Sequence, residues 1–241
     1  MPKIIIHQEI DSTMLEMSRA LGRGEISHLD AIMALRQTAG RGRLQRSWHT
    51  GSGRNLAVSF WVKLDSALLP PLPLAAALAV TDTLSLWGLN GQLQCKWPND
   101  IKIKGCKICG ILCQYAESPR QETGSIVGIG INLDLSSQEI AAIDQPVTSL
   151  KTLTGRTAQP QEICAALQQN MEKRAAALQK SGFAPMADEW YRLCCHAGEE
   201  ISVNTGFAAV TGRTKGIDEQ GALLLDCNGA EKRIICGDVN L

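Results

Sequence analysis

The chain has 241 residues, is 44% hydrophobic and 20% charged, and carries equal numbers of acidic and basic side chains. That size suits one large domain, or one domain with a small companion, and the composition can bury a core without covalent staples. A neutral balance argues against bulk attraction to nucleic acid or to an anionic membrane.

The N-terminal KIIIHQEI reads as a first strand and is far short of a signal-peptide core. DST then opens a helix, with Thr13 and Glu16 at capping-box spacing and Leu15, Ser18 and Leu21 along one side before Gly22. DAIMALRQ reads as a second strand. Residues 38–54 have no apolar period and read as a loop. NLAVSFWVKL is a strong strand. Pro70–Trp87 reads as a buried helix opened by prolines. The most apolar stretch, 67–80, is fourteen residues long and broken by Pro70, Pro71 and Pro73, too short to span a bilayer.

QLQCKW reads as a strand stopped by PND. IKIK alternates apolar and basic residues, which puts Lys102 and Lys104 toward solvent on an edge or a hairpin, with Gly105 turning the chain. KICGILCQY and GSIVGIGINL are apolar on both faces, as central strands are. Residues 137–158 are weakly patterned. Gln159–Lys180 is an amphipathic helix with Pro160 in its first turn and Gly182 as its stop, and PMADEWYRLCC is a second short helix. After His196 come short strands every eight to ten residues between Gly, Asp and Asn turns, the pattern of a small β-barrel. The boundary falls near Cys195–Gly198, giving units 1–195 and 196–241.

The chemistry begins in the first loop. Residues 40–54 hold four arginines and four glycines, and no Asp or Glu occurs between Asp30 and Asp65. Arginine forks suit carboxylate and phosphate, and glycine lets backbone approach a ligand closely. Arg41, Arg43, Arg46 and Arg54 are therefore candidates for holding an anion. The alternative is a solvated basic loop whose acids come from other segments. No phosphate-binding loop of the G-x-x-x-x-G-K-[ST] kind occurs, and Gly128-x-Gly130-x-Asn132 lacks a dinucleotide fingerprint's third glycine, so it reads as tight packing or a bulge. Trp48 either stacks on a ligand base or anchors the loop. Asn99 and Asp100 of KWPND bind a ribose or a phosphate-bound Mg²⁺, or simply make a turn. Lys107 opens a buried strand, with Cys109, Ile111 and Cys113 on its own face and Ile108 and Leu112 on the other. It is placed to meet developing negative charge or, alternatively, to snorkel to water. Cys106-x-x-Cys109 is a poor zinc site, because alternate strand residues point to opposite faces. Nine cysteines without an export signal read as reduced thiols in a cytoplasmic protein.

DST, QTAGRGR…W, KWPND, K-x-x-GIL seven residues after that Asp, and GIGINL occur here in the order and spacing of biotin protein ligases. The last forty-odd residues, with GIDEQGALLL, resemble the small barrel that ends them, so the resemblance spans nearly the whole chain. It implies an α+β fold: a mixed-sheet catalytic domain of the class II synthetase-like biotin/lipoate ligase type, followed by a small SH3-like β-barrel. It also implies two steps, formation of biotinyl-5′-AMP from biotin and ATP with Mg²⁺, then acyl transfer to a lysine of a biotin carboxyl carrier protein domain. By motif, Ser12, Thr13 and Gln37 match positions that hold the biotin ring and tail. Gly40, Arg41, Gly42 and Arg43 match the loop that closes over biotin and the adenylate, and Gly110 lies on the apolar strand face beneath the rings. Lys107 matches the lysine on the carboxylate and α-phosphate and, with Arg43, is the expected catalytic pair. Arg41, Arg43, Arg46, Trp48, Asn99, Asp100 and Asn132 match the nucleotide side. Gln45, Met14, Cys109 and Gln114 depart from the usual residues, and Gln45 implies a stiffer loop.

Bifunctional members carry an N-terminal helix-turn-helix domain. Ten residues before Asp11 leave no room for one, so a ligase without sequence-specific DNA binding is expected. The related lipoate and octanoate enzymes share the expected fold but use an RR…GGG…HD loop that is missing here. A nucleic-acid module using the GRGR loop is disfavoured because residues 198–241 hold four basic and seven acidic side chains. Strand edges such as Ile101–Lys104 either pair two copies into a homodimer or are guarded by their lysines. No membrane partner is expected.

Overall fold

A computed structural model describes residues 2–48, 50–51 and 53–240. Its larger sheet has seven strands: β1 (Ile4–Ile10), β2 (Ala31–Gln37), β3 (Leu56–Lys63), β4 (Gln94–Lys96), β5 (Asp100–Ile103), β6 (Cys106–Glu117) and β7 (Thr123–Ile131). Their spatial order is β1-β2-β3-β7-β6-β5-β4. Only β1 and β2 run parallel, and every other neighbouring pair is antiparallel. β7 lies mid-sheet and is buried along nearly its whole length, as its two-faced apolar pattern requires.

Helices cover both faces. Helix α1 (Thr13–Gly22) packs on one face and buries Met14, Met17 and Leu21 against Ile32, Trp61 and Ile126. On the other face lie α2 (Leu72–Leu84), α5 (Pro160–Ser181) and α6 (Ala184–Arg192), around the main core of Phe60, Leu78, Ile111, Ile129, Leu167 and Trp190. Two short helices, α3 (Ser137–Ala141) and α4 (Leu150–Thr154), lie between β7 and α5. Prolines open α2 and α5, and Gly182 at φ 67° ends α5.

The C-terminal sheet is antiparallel throughout, ordered β11-β10-β9-β8-β12. Its strands are β8 (Glu200–Asn204), β9 (Ala209–Ile217), β10 (Leu223–Cys227), β11 (Ala230–Ile234) and β12 (Asp238–Asn240). The result is the expected mixed α+β fold with a small all-β unit at its end.

Four local expectations are corrected. The capping box at Thr13 and Glu16 does not form: Ser12 is the N-cap without a side-chain cap bond, Thr13 binds Gln37, and Glu16 pairs with Arg19 and Arg23. Ser136 and Glu139 make a reciprocal capping box instead, at α3. The buried side of α1 runs through Met14, Met17 and Leu21, not through Leu15, Ser18 and Leu21, because exposed Ser18 lies off that stripe. Ile101–Lys104 is not a sheet edge, since β4 pairs with β5 through Gln94–Lys102 and Cys95–Ile101. Finally, the apolar helical run extends past the prolines: Leu72–Leu89 is 18 residues long with mean hydropathy 1.4, enough by length and composition to cross a membrane, and 67% of it is buried inside the protein. All nine cysteines are free.

Candidate active site

The strand register builds the floor. Ala34, Ala57, Gly130, Gly110, Asp100 and Lys96 form one cross-strand row, and Ile32, Ser59, Gly128 and Leu112 form the next on the same face. Three glycines and an alanine at the middle of these rows remove the side chains that would fill this face. A trough results beside α1, and no bulge occurs at Gly128 or Gly130, contrary to one reading of the GIGIN spacing. A Cβ on Gly128 would lie 2.8 Å from Met14 Sδ, and one on Gly130 would overlap the Trp48 indole.

At the α1 end the trough is lined by neutral donors and acceptors. Gln37 Oε1 accepts from Thr13 N (2.8 Å) and Thr13 Oγ1 (3.1 Å), and Thr13 Oγ1 accepts from Ser59 Oγ (2.9 Å). Ser12 is buried here, and its N–H donates to Asp11. β2 delivers Gln37 and the start of α1 delivers Ser12 and Thr13, so two elements that pack together fix this end.

Lys107 occupies the other end, and its face differs from the alternating one. The pairing of β5 with β6 shifts register, so that Ile101 faces Cys109 while Lys102 faces Lys107. This bulge sends Ile108 and Cys109 both into the main core and turns Lys107 onto the face of Gly110. Lys107 Nζ lies 2.8 Å from Asp100 Oδ1 and 5.7 Å from the centre of the Trp48 ring. Asp100 Oδ1 is buried with Lys107 as its partner, and the Trp48 Nε1–H is buried without a hydrogen bond among the described residues. Asn132 Nδ2 donates to the Lys107 carbonyl (3.4 Å), and Pro146 O and Thr148 N bracket the Lys107 backbone. Asn99 Nδ2 donates to Ile111 O, and its Oδ1 accepts from Arg43 (3.1 Å).

The basic loop folds over this trough as a flap. Trp48 N donates to Gly40 O and Gly42 N to Arg46 O, with Arg41 and Ser47 bridged. One tight turn, Arg43–Gln45, forms the tip, and Leu44 holds the left-handed conformation there at φ 52°. The Gln45 side chain lies outside the described residues. Acids from distant segments do reach the loop: Asp238 pairs with Arg43 (2.9 Å) and Arg46 (3.0 Å), and Asp134 pairs with Arg54 (3.1 Å). Arg54 thus faces away from the trough. Arg41 lines the cavity and has no ion pair among the described residues.

One cavity collects Ser12, Thr13, Gln37, Arg41, Gly42, Arg43, Arg46, Trp48, Asn99, Asp100, Lys107, Gly110 and Asn132; Gly40 borders its neighbour across Gln37 and Trp48. The same cavity takes in Lys96, Ile143, Val147 and Asp238, which motif reasoning did not select. Burial, then the nearby Lys102, pushes the Lys96 ammonium below its ordinary value. The cross-strand row from Gly110 through Asp100 to Lys96 was readable in principle; Asp238, about two hundred residues from the flap, left no local signal.

These features define a class: a mixed α+β sheet carrying a glycine-floored, cation-lined trough under a basic flap, followed by a small antiparallel sheet. The model of the biotin/lipoate A/B protein ligase family matches residues 7–132, and that of the biotin protein ligase C-terminal domain matches residues 196–241. The chain belongs to the biotin/lipoate A/B protein ligase family. It is 34% identical over 200 residues to a biotin–acetyl-CoA-carboxylase ligase of Paracoccus denitrificans, covering 80% of this chain and 82% of that one. It is 30% identical over 240 residues to a bifunctional ligase/repressor of Bacillus spizizenii, covering 98% of this chain and 74% of the relative. Among solved structures, the Aquifex aeolicus biotin protein ligase in complex with biotin and ATP superposes with a TM-score of 0.82 at 26% identity, covering 100% of this chain and 98% of that one.

Proposed function

We propose that the protein is an ATP-dependent biotin protein ligase that modifies the carrier domain of acetyl-CoA carboxylase. The observation that carries this is the meeting of Lys107 and Arg43 over a trough floored by Gly110, Gly128 and Gly130. The missing strand side chains leave a face flat enough for a bicyclic ring, which would take the place that the Trp48 indole covers here over Gly110 and Gly130. Ser12, Thr13 and Gln37 offer neutral hydrogen bonds suited to a cyclic urea.

In the first step an oxygen of the biotin carboxylate attacks the α-phosphorus of ATP, the bond to the β-phosphate oxygen breaks, and pyrophosphate leaves. Two anions must meet, so cations in a partly dry site lower the barrier. Lys107 sits between the carboxylate and the α-phosphate, while Arg41, Arg43 and Arg46 face the phosphates from the flap. Trp48 would stack on adenine after its indole leaves the glycine floor, and Asn132 steadies the Lys107 backbone. In the second step the acceptor lysine amine attacks the acyl carbon and AMP departs; until then Gly40 and Gly42 let the flap keep water from the mixed anhydride.

Mg²⁺ fits this donor set: Asp100 offers a buried carboxylate, its Oδ1 shared with the Lys107 ammonium at 2.8 Å, with Asn99 beside it, and Mg²⁺ commonly uses one protein carboxylate with phosphate oxygens. It would neutralise phosphate charge. We assign catalysis to unit 1–195 and its covering sheet to 196–241.

The lipoate reading shares the fold, so substrate decides between them. Pyrophosphate release with ATP is expected to depend on biotin; release with lipoate alone would overturn the proposal. A nucleic-acid role is disfavoured because Arg43, Arg46 and Arg54 are each paired with a carboxylate of the chain.

A further inference from the structure

The C-terminal sheet reaches the flap through one carboxylate. Asp238 opens β12, which pairs with β8 through Asp238–Asn204. Its Oδ1 accepts from Arg43 Nη1 at 2.9 Å, and its Oδ2 accepts from Arg46 Nη2 at 3.0 Å. The neighbouring Gly237 carbonyl takes Arg43 Nη2 at 3.0 Å. Gly237 has φ 147°, and a Cβ there would lie 2.7 Å from Asn204 O, so glycine is what lets the chain enter β12 this close to β8. On its other side Arg43 Nη1 donates to Asn99, whose amide is tied to β6. Arg43 is therefore clamped between the two sheets, and its side chain is only 23% exposed, against 67% for Arg46.

We propose that Asp238 is a positioning residue for the flap, a carboxylate lent by the C-terminal sheet that latches Arg43 and Arg46 over the trough before any substrate arrives. Without it, neighbouring guanidinium groups in a segment lacking any acid would repel one another and hydrate, and the flap would stand open more often. With it, one negative charge meets two positive ones, so a net positive charge remains to attract an anion. A substrate phosphate bears more negative charge than the single carboxylate and competes for the same forks. The latch then yields to the ligand while the flap stays down. This consequence rests on the adenylate-forming reading of the site; the latch itself does not.

Limited trypsin digestion of the ligand-free protein tests it, with cleavage after Arg41, Arg43 and Arg46 followed by mass spectrometry. Asp238→Asn keeps shape but loses charge, and flap cleavage is expected to rise about tenfold over wild type. Asp238→Glu is expected to stay near wild type. Cleavage after the exposed Lys104 and Arg120 serves as a control outside the flap, and cleavage after Lys215 in β9 reports whether the C-terminal sheet itself has loosened. In unaltered protein, molar salt is expected to speed flap cleavage selectively by screening the pairs. Flap cleavage that responds neither to Asp238→Asn nor to salt overturns the latch. Wild type that forms no adenylate while its flap behaves as described would sink the functional reading and leave the latch standing. Normal adenylate formation with an unresponsive flap would do the reverse.

Discussion

The floor of the site and the flap above it hold their places by different physics. The floor is set by strand register and by side chains that are missing: Ala57, Gly130 and Gly110 in one row, Gly128 in the next. Away from the Asp100–Lys107 pair its polar contacts are neutral and internal, as in the set of Thr13, Ser59 and Gln37. Apart from the Trp48 indole seated over Gly110 and Gly130, the flap has little apolar anchorage, and exposed Leu44 marks its tip. It is held by its own backbone bonds and by ion pairs to a sheet that arrives from the far end of the chain. Changes to the floor should therefore act through shape and be indifferent to salt, whereas changes to the flap should act through charge and be salt-sensitive.

Lys107 belongs to both regions, since the floor's bulge aims it and the flap's Trp48 covers it, and its loss should be the largest effect. Lys107→Ala is expected to lower adenylate formation on the order of a thousandfold, measured as biotin-dependent pyrophosphate release, while the denaturation midpoint changes little. Near-normal rates in both Lys107→Ala and Arg43→Ala would remove the site as drawn.

The seam that carries Asp238's sheet offers a way to loosen the flap without touching the floor. His196 is fully buried, and its Nε2 accepts the Trp97 N–H (3.3 Å), so Nδ1 carries the proton and faces Cys194 Sγ (3.2 Å). Burial, then nearby Lys96, pushes its pKa down to about 4. The unfolded chain binds that proton near pH 6.5, so this group's stability is complete above 6.5 and is lost as pH falls toward 4. The loss approaches about 3 kcal/mol. Melting followed at pH 7, 5.5 and 4 should show the decline, and His196→Asn should flatten that pH dependence. Flap proteolysis should rise with acid in parallel.

The floor is attacked by adding atoms. Gly130→Val places a side chain where the Trp48 indole lies. It should displace that ring and cost on the order of a hundredfold in kcat/KM. The deficit should be the same at low and high salt. A deficit that salt changes would mean the floor, too, is held by charge.

How much of this was legible in the sequence follows the same division. The period-two strands, the Gly-Arg loop and Lys107 at the head of a strand are local patterns, and they appear where expected. The face of Lys107 was misread because a bulge inverts alternation and depends on the pairing with β5. The Thr13–Glu16 cap failed because a tertiary partner, Gln37, outcompeted the local one. Ile101–Lys104 looked like an edge because the strand read in QLQCKW carries no local sign of which neighbour it pairs with. The motif resemblance supplied the site's membership, yet Asp238 escaped it, since a lone acid in GDVNL gains meaning only when the chain brings it to Arg43.

The smallest expected effect tests whether the floor's neutral network is as self-contained as it looks. Thr13→Val preserves shape and the backbone donor to Gln37 Oε1 but removes the hydroxyl donor to it and the acceptor for Ser59 Oγ. Ser59 is wholly buried, so its hydroxyl would be left without that partner, at a cost of about 1–3 kcal/mol in unfolding free energy. Removing the second partner should return part of that loss, because a buried pair of apolar groups asks for no hydrogen bond. Thr13→Val with Ser59→Ala is thus expected to be more stable than Thr13→Val alone, by about 1 kcal/mol in a urea denaturation cycle. Simple additivity of the two substitutions would instead mean that Ser59 has another acceptor within reach, and that the trough's wall can rearrange where the register argument makes it rigid.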